Sequence, residues 1–181
     1  MAQPMGLRSN GRRVLVISND STVFQSNGFV SAFEMFGGRL TEVKKLVERL
    51  DKVCDISFAI ISGEFGFIPA NYVVRKYDRV PSCKEEYEDL QRRKDFVGQT
   101  KFISQAFDRV IVCVPKDMFA MLIPALPKGR VIAVTNECFR DECERNGWMY
   151  LPRKGARVGD ANADAIVKEI EDQVNSIIPM L

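Results

Sequence analysis

Short, β-branched apolar runs alternate with helical segments along nearly the whole chain, and no other feature restricts its fold as much. Five runs read as strands: residues 13–18 (RVLVIS), 56–62 (ISFAIIS), 109–114 (RVIVCV), 130–135 (RVIAVT) and 148–151. Runs this short and continuously apolar suit strands buried on both faces. Between the first two, Leu40, Val43, Leu46, Val47 and Leu50 recur at helical spacing and predict an amphipathic helix over 41–52. Ser82 and Glu85 have the spacing of a capping box and predict a helix through about Asp95. A helical piece after Gly98 carries Phe102, Ile103, Ala106 and Phe107 as its apolar face, and a short helix begins at Pro115 and ends at Pro124 and Pro127. Residues 137–145 predict another helix, and Asp160 or Asn162 caps a last one bearing Ile166, Val167, Ile170, Val174 and Ile177. Such alternation implies right-handed crossovers and a mainly parallel sheet. The expected fold is α/β: a three-layer, Rossmann-like or flavodoxin-like domain on a mainly parallel five-stranded sheet. It spans residues 13–181 behind a flexible N-terminal tail, 1–12.

The chain contains no histidine among its 181 residues. That removes Ser-His-Asp and Cys-His catalysis, histidine-ligated metals and a switch with an unperturbed pKa near neutrality. Acid–base work falls to carboxylates, Lys, Cys, Tyr or the backbone. The five cysteines, Cys54, Cys83, Cys113, Cys138 and Cys143, lack the spacing of zinc knuckles, so neither a metal nor another cofactor is expected. Twenty-six basic residues against 24 acidic ones give a net charge of +2, which disfavours a broad nucleic-acid surface. No apolar run is long enough to span a bilayer, and the N-terminal residues lack the apolar core of a signal peptide. A cytoplasmic protein without a membrane partner is expected.

In this architecture ligands sit beyond the carboxyl ends of the strands. The loops opening at Asn19, Gly63, Pro115, Asn136 and Pro152 are therefore the ones to examine. Asn19, Asp20, Ser21 and Thr22 place four small polar side chains after the first strand, as ordinary turn chemistry or as an edge that binds an anion or a ribose. Neither GxGxxG nor a P-loop is present. Ser62-Gly63-Glu64-Phe65-Gly66-Phe67-Ile68-Pro69 sets a carboxylate between aromatics and two glycines that permit positive φ or close approach to a ligand. Phe65 and Phe67 could wall Glu64 and raise its pKa, making it the candidate nucleophile or general acid. The ordinary alternative is a tight turn with a solvated glutamate.

The stretch from Ser62 to Pro69, followed by Tyr77-Asp78, resembles the Ser-Gly/Ala-x-aromatic-Gly-apolar-apolar-x-Pro…Pro-Tyr signature of the peroxide-stress-resistance (YaaA-like) proteins and their small relatives. Lys76 stands where a proline commonly precedes the tyrosine. The resemblance implies an α/β domain with a cleft near the first two carboxyl-end loops, and it points toward nucleic-acid or modified-base biology. A basic loop, with Arg153, Lys154 and Arg157 among glycines before the last helix, is either solvated or a phosphate contact. Lys84–Asp95 mixes both signs along one helix, the pattern of a solvent face. Phe24, Phe29, Phe33 and Phe36 read as core or lid, or as a partner surface if exposed.

These readings converge on a small-molecule site for a nucleotide, nucleoside or nucleobase-like ligand. Glu64 is the candidate catalytic group for cleaving or transferring an N-glycosidic bond. Asn19, Asp20, Ser21, Ser62, Gly63, Phe65, Gly66, Tyr77, Arg153 and Lys154 are the candidate binding residues. The alternative is a noncatalytic binding protein or homo-oligomeric assembly protein, with nucleic acid the least favoured partner.

Overall fold

A computed structural model describes residues 12–177, so the expected tail lies outside the described residues apart from Arg12. In chain order the elements are β1 (Arg13–Asn19), β2 (Val30–Ser31), α1 (Ala32–Met35), α2 (Leu40–Asp51), β3 (Asp55–Ser62), β4 (Gly66–Pro69) and β5 (Val73–Val74). They continue as α3 (Lys84–Lys94), α4 (Phe96–Ser104), β6 (Arg109–Cys113), α5 (Lys116–Leu122), β7 (Val131–Thr135), α6 (Arg140–Arg145), β8 (Met149–Pro152) and α7 (Asp160–Ile177). Two 3-10 turns, Ile123–Ala125 and Glu137–Phe139, follow α5 and precede α6.

The main sheet runs β4-β3-β1-β6-β7-β8, six strands where five were expected. β3, β1, β6, β7 and β8 are parallel, and β4 folds back antiparallel on β3, with Ser62 opposite Gly66 and Ala59 opposite Pro69. The parallel strands follow the flavodoxin-like order 2-1-3-4-5, so strand order reverses between β1 and β6. Helices cover both faces of this three-layer fold. Val14, Val16, Ile56, Phe58, Ile60, Ile111 and Val134 meet α2 and α7 on one side. Leu15, Ile17, Ile61, Val110, Val112 and Ala133 meet α3 to α6 on the other. Cys54 and Cys113 are buried apolar members of the core, and none of the five cysteines is in a disulfide.

Several local expectations are corrected. Two short strands, β4 and β5, lie beyond the turn that opens at Gly63, and β5 pairs with β2 in a separate two-stranded sheet. α3 starts after Cys83 with no side-chain cap, so Ser82 and Glu85 form no capping box. α4 begins before Gly98: the Asp95 side chain accepts from Gly98 N and caps it, and Phe96, Thr100 and Ser104 form its buried face. Phe102 is 77% exposed and Ile103 and Ala106 face solvent too, leaving Phe107 as the buried member of the expected set. The helix expected over 137–145 is a 3-10 turn followed by six α-helical residues. Asp160 is itself the first residue of α7, and Asn162 donates Nδ2 to the Pro152 and Val158 carbonyls in place of capping the helix. α3 does behave as a solvent face, with Lys84–Glu88 and Asp89–Arg93 pairs, although it buries Tyr87 and Leu90. Among the described residues no helix is long and apolar enough to cross a membrane.

Candidate functional site

The carboxyl edge of the sheet, around the β1/β6 reversal, gathers the buried polar groups. Asp20 follows β1 directly, and its N–H donates to Ile61 O (3.0 Å), carrying the β1–β3 ladder one residue past the strand. Its side chain is thereby held over the end of β3. There Oδ2 accepts from Gly63 N (2.8 Å) and from the Tyr77 hydroxyl. Tyr77 in turn accepts from Ser62 Oγ (3.0 Å), and Ser62 Oγ accepts from Phe65 N (3.1 Å) and Glu64 N (3.3 Å). These donors form one chain of O–H and N–H dipoles pointing at a single carboxylate, an arrangement in which each bond polarises the next. Asp20 is only 2% exposed. Burial outweighs the donors and Arg157 and lifts its pKa to about 6, against an ordinary 3.8. Tyr77, itself buried and facing that carboxylate, is pushed far above the usual phenol range.

Arg157 closes the site from the α7 side. Its Nη1 donates to Ser18 Oγ (3.2 Å) and Asn19 O, and its Nη2 to Asp20 O (2.5 Å). Its own N–H donates to Glu42 Oε2 (3.1 Å), which ties the loop to α2. Burial, and next the neighbouring Arg153 charge, lower its pKa to about 10, so it stays charged at neutral pH. Arg153 follows β8, with its N–H on Thr135 O (2.9 Å). Its pKa is lowered, by burial above all, and its neighbours include Cys113 on one face of the sheet and Tyr87 on the other. That places the guanidinium over the carboxyl edge. Arg153 Nη1, Thr135 Oγ1 and Asn19 Oδ1 are buried and have no hydrogen-bond partner.

The glycine–aromatic turn serves the fold differently from the expectation. A Cβ on Gly63 would stand 2.4 Å from Pro81 Cδ and 2.9 Å from Arg79 O, so the close approach there is by the chain itself. Gly66 has φ +75°, which only glycine adopts readily, and a Cβ there would stand 2.9 Å from Lys94 Cβ. Phe65 packs with the α2/α7-side core and Phe67 with the opposite one, so the two do not wall Glu64. The Glu64 side chain is 43% exposed and pairs with Arg75 (3.3 Å). Phe65 instead meets Tyr77 edge-on at 6.0 Å, and Phe24 does so at 5.1 Å, giving the Asp20–Tyr77 pair an aromatic surround. Of the phenylalanines between β1 and α2, Phe36 is core, Phe24 and Phe33 pack on it, and Phe29 is 77% exposed.

Of the residues singled out from sequence, Asp20, Ser62, Gly63, Phe65 and Tyr77 come together, with Asn19 and Arg153 along the same edge. Ser21 Oγ bonds Val23 N and O in a local turn, and Lys154 is exposed. Tyr87 was hidden in the charged pattern of α3: it is buried, and Asp20, Asp117, Cys83 and Arg153 are its electrostatic neighbours. Its apolar spacing with Leu90 was the available signal. Among the described residues no cluster of three or more acidic or cysteine side chains could hold a metal. No protein-family model, curated protein or solved structure matches the chain.

Proposed function

We propose that the carboxyl edge between β1, β3 and β6 binds a nucleoside-like small molecule, and that Asp20 is its acid–base group. One observation carries this reading: a carboxyl with a pKa near 6 is buried at the carboxyl ends of β1 and β3, beside the strand-order reversal, and fed by a Ser62–Tyr77 hydrogen-bond chain. Perturbed groups of this kind concentrate at functional sites, and ligands of this architecture bind at this reversal. The Phe24, Phe65 and Tyr77 rings supply apolar surface of the kind a planar base packs against.

The chemistry suited to this arrangement is N-glycosidic cleavage, with Asp20 taking the role first assigned to Glu64. Protonated Asp20 passes its proton to the leaving base nitrogen as the C1′–N bond breaks. Water adds to C1′ and returns a proton to the carboxylate, which restores the acid. A pKa near the working pH supports both halves of that cycle. The short likeness to the YaaA-like proteins is compatible with such a ligand, and a cytoplasmic setting belongs to the same reading.

Incubation with nucleosides and nucleotides, followed by chromatography for released base, tests the reaction. Base release that Asp20→Asn abolishes is the expected result, and release unchanged in that variant overturns it. A second reading, homo-oligomeric assembly without catalysis, draws on Phe29 (77% exposed), Tyr72 (47%) and Val73 (60%) around the β2–β5 sheet. Light scattering distinguishes it: a concentration-independent oligomer that turns over no nucleoside supports assembly.

A further inference from the structure

Three guanidiniums meet at the carboxyl edge, and they are not equivalent. Arg157 has donors on Ser18 Oγ, Asn19 O and Asp20 O, and Arg39 donates Nη1 to Gly155 O (2.9 Å). Arg153 is different. Its Nη1 is buried without an acceptor, and none of the hydrogen bonds or ion pairs among the described residues uses its side chain. Its charged neighbours include Arg39 and Glu42, and it lies close enough to Arg157 to depress that residue's pKa. Glu42 already accepts from Arg157 N, and Asp20 from Gly63 and Tyr77. Leaving the innermost N–H of a half-buried guanidinium without an acceptor is costly, and one poised at a ligand-binding edge is matched by an anion from outside the chain.

Two further groups share the defect. Thr135 is fully buried with its hydroxyl unpartnered, and Asn19 is 5% exposed with Oδ1 unpartnered. Each stands two residues beyond a core residue of the same face, Ala133 and Ile17, so both side chains point to that face of the sheet. Thr135 O accepts from Arg153 N (2.9 Å), so the two residues adjoin across the ends of β7 and β8. Asn19 lies on β1, on the far side of β6, about 10 Å away at the usual strand spacing. Thr135 and Asn19 stand along the strand ends on that face, Arg153 adjoins Thr135, and Asp20 follows Asn19 with its carboxylate turned to Tyr77 on the other face.

We propose that Arg153 and Thr135 form an oxyanion subsite, and that the ligand of the Asp20 site is therefore a nucleoside monophosphate, not a free nucleoside or base. The phosphate accepts from Arg153 Nη1 and Thr135 Oγ1, and Asn19 Oδ1 accepts from a sugar hydroxyl between the phosphate and Asp20. This assignment rests on the nucleoside reading above for the rest of the ligand. The phosphate end rests on the unpartnered groups alone.

Isothermal titration with AMP, GMP, CMP and UMP, the matching nucleosides, ribose 5-phosphate and inorganic phosphate separates the two. Monophosphates are expected to bind about tenfold or more tighter than their nucleosides, the scale of a charge-assisted hydrogen bond. Arg153→Gln and Thr135→Val should each narrow that ratio, with circular-dichroism melts confirming that both variants fold. Equal affinity for monophosphates and nucleosides overturns the phosphate subsite while leaving the nucleoside site standing. Inorganic phosphate binding as tightly as every monophosphate, with nucleosides silent, supports the subsite and overturns the nucleoside reading. Binding of none of these probes overturns both.

Discussion

Replacing Asp20 by Asn should make this protein more stable at pH 8, which is the opposite of what losing a buried, hydrogen-bonded side chain usually does. Both donors to Asp20, Gly63 N and Tyr77 Oη, fall on Oδ2. An asparagine oxygen in that position accepts from both, so the substitution keeps the geometry and removes the charge. The gap between 3.8 and about 6, at about 1.4 kcal/mol per pH unit, puts the cost of the ionised folded form at roughly 3 kcal/mol. Asp20 is only 2% exposed, so solvent screening barely reduces it. The sign follows from linkage: a carboxyl whose pKa rises on folding contributes stability that is complete below pH 3.8 and lost as pH rises through about 6. Losing the attraction of Arg157 trims the benefit, so Asp20→Asn should gain about 1–3 kcal/mol at pH 8. Urea titrations at pH 8 and pH 5 measure it, and the advantage should shrink by roughly 1 kcal/mol at pH 5, where part of the cost is already relieved. A variant destabilised by more than about 1 kcal/mol at both pH values would refute the reasoning. It would mean that the ionised carboxylate holds the loops together. A gain at pH 8 means the chain keeps a charge against its own stability, as functional sites do.

Three further substitutions separate structural from functional roles. Gly63→Ala should cost about 1–3 kcal/mol in chemical denaturation, because its Cβ would meet Pro81 Cδ at 2.4 Å and Arg79 O at 2.9 Å. Thr135→Val removes a buried, unpartnered hydroxyl and should raise the melting temperature, by an amount equivalent to about 1 kcal/mol; a drop would show that the hydroxyl is satisfied within the protein. Glu64→Gln breaks an exposed pair with Arg75 and should change stability by under about 0.5 kcal/mol in the same melt.

Of the five parallel strands, β8 is a half-buried edge strand; the other four, β1, β3, β6 and β7, were legible because each is a largely buried, continuous apolar run, and runs of that kind have few other homes. β4 was not. It is four residues long, it begins with Gly66 and ends at Pro69, and it gains its ladder only by folding back on β3. Proline is tolerated there because β4 is an edge strand. β2 and β5 have two residues each and exist through their mutual pairing, which local pattern cannot encode. The apolar face of α4 was misread because Phe102 and Ile103 are exposed while Thr100 and Ser104 are buried, and their hydroxyls are satisfied by Phe96 O and Lys101 O. At the site, both loops were visible as polar or glycine-rich strand ends, but the partner of Asp20 was not. Tyr77 lies 57 residues away, and its contact depends on the β1–β3 register. Glu64 drew attention through its neighbours in sequence, whereas the perturbed carboxylate is made by neighbours in space.

The account stands on where a ligand binds, and amide chemical-shift mapping with AMP on uniformly ¹⁵N-labelled protein tests that directly. The predicted result is a compact set of perturbations at Asn19, Asp20, Gly63, Tyr77, Thr135 and Arg153, around the β1/β6 reversal. Far from that edge, Lys101, Lys128 and Arg130 line a basic cavity of about 450 Å³ between α4 and the start of β7. Perturbations centred on those three residues, with the Asp20 edge unmoved, would contradict it.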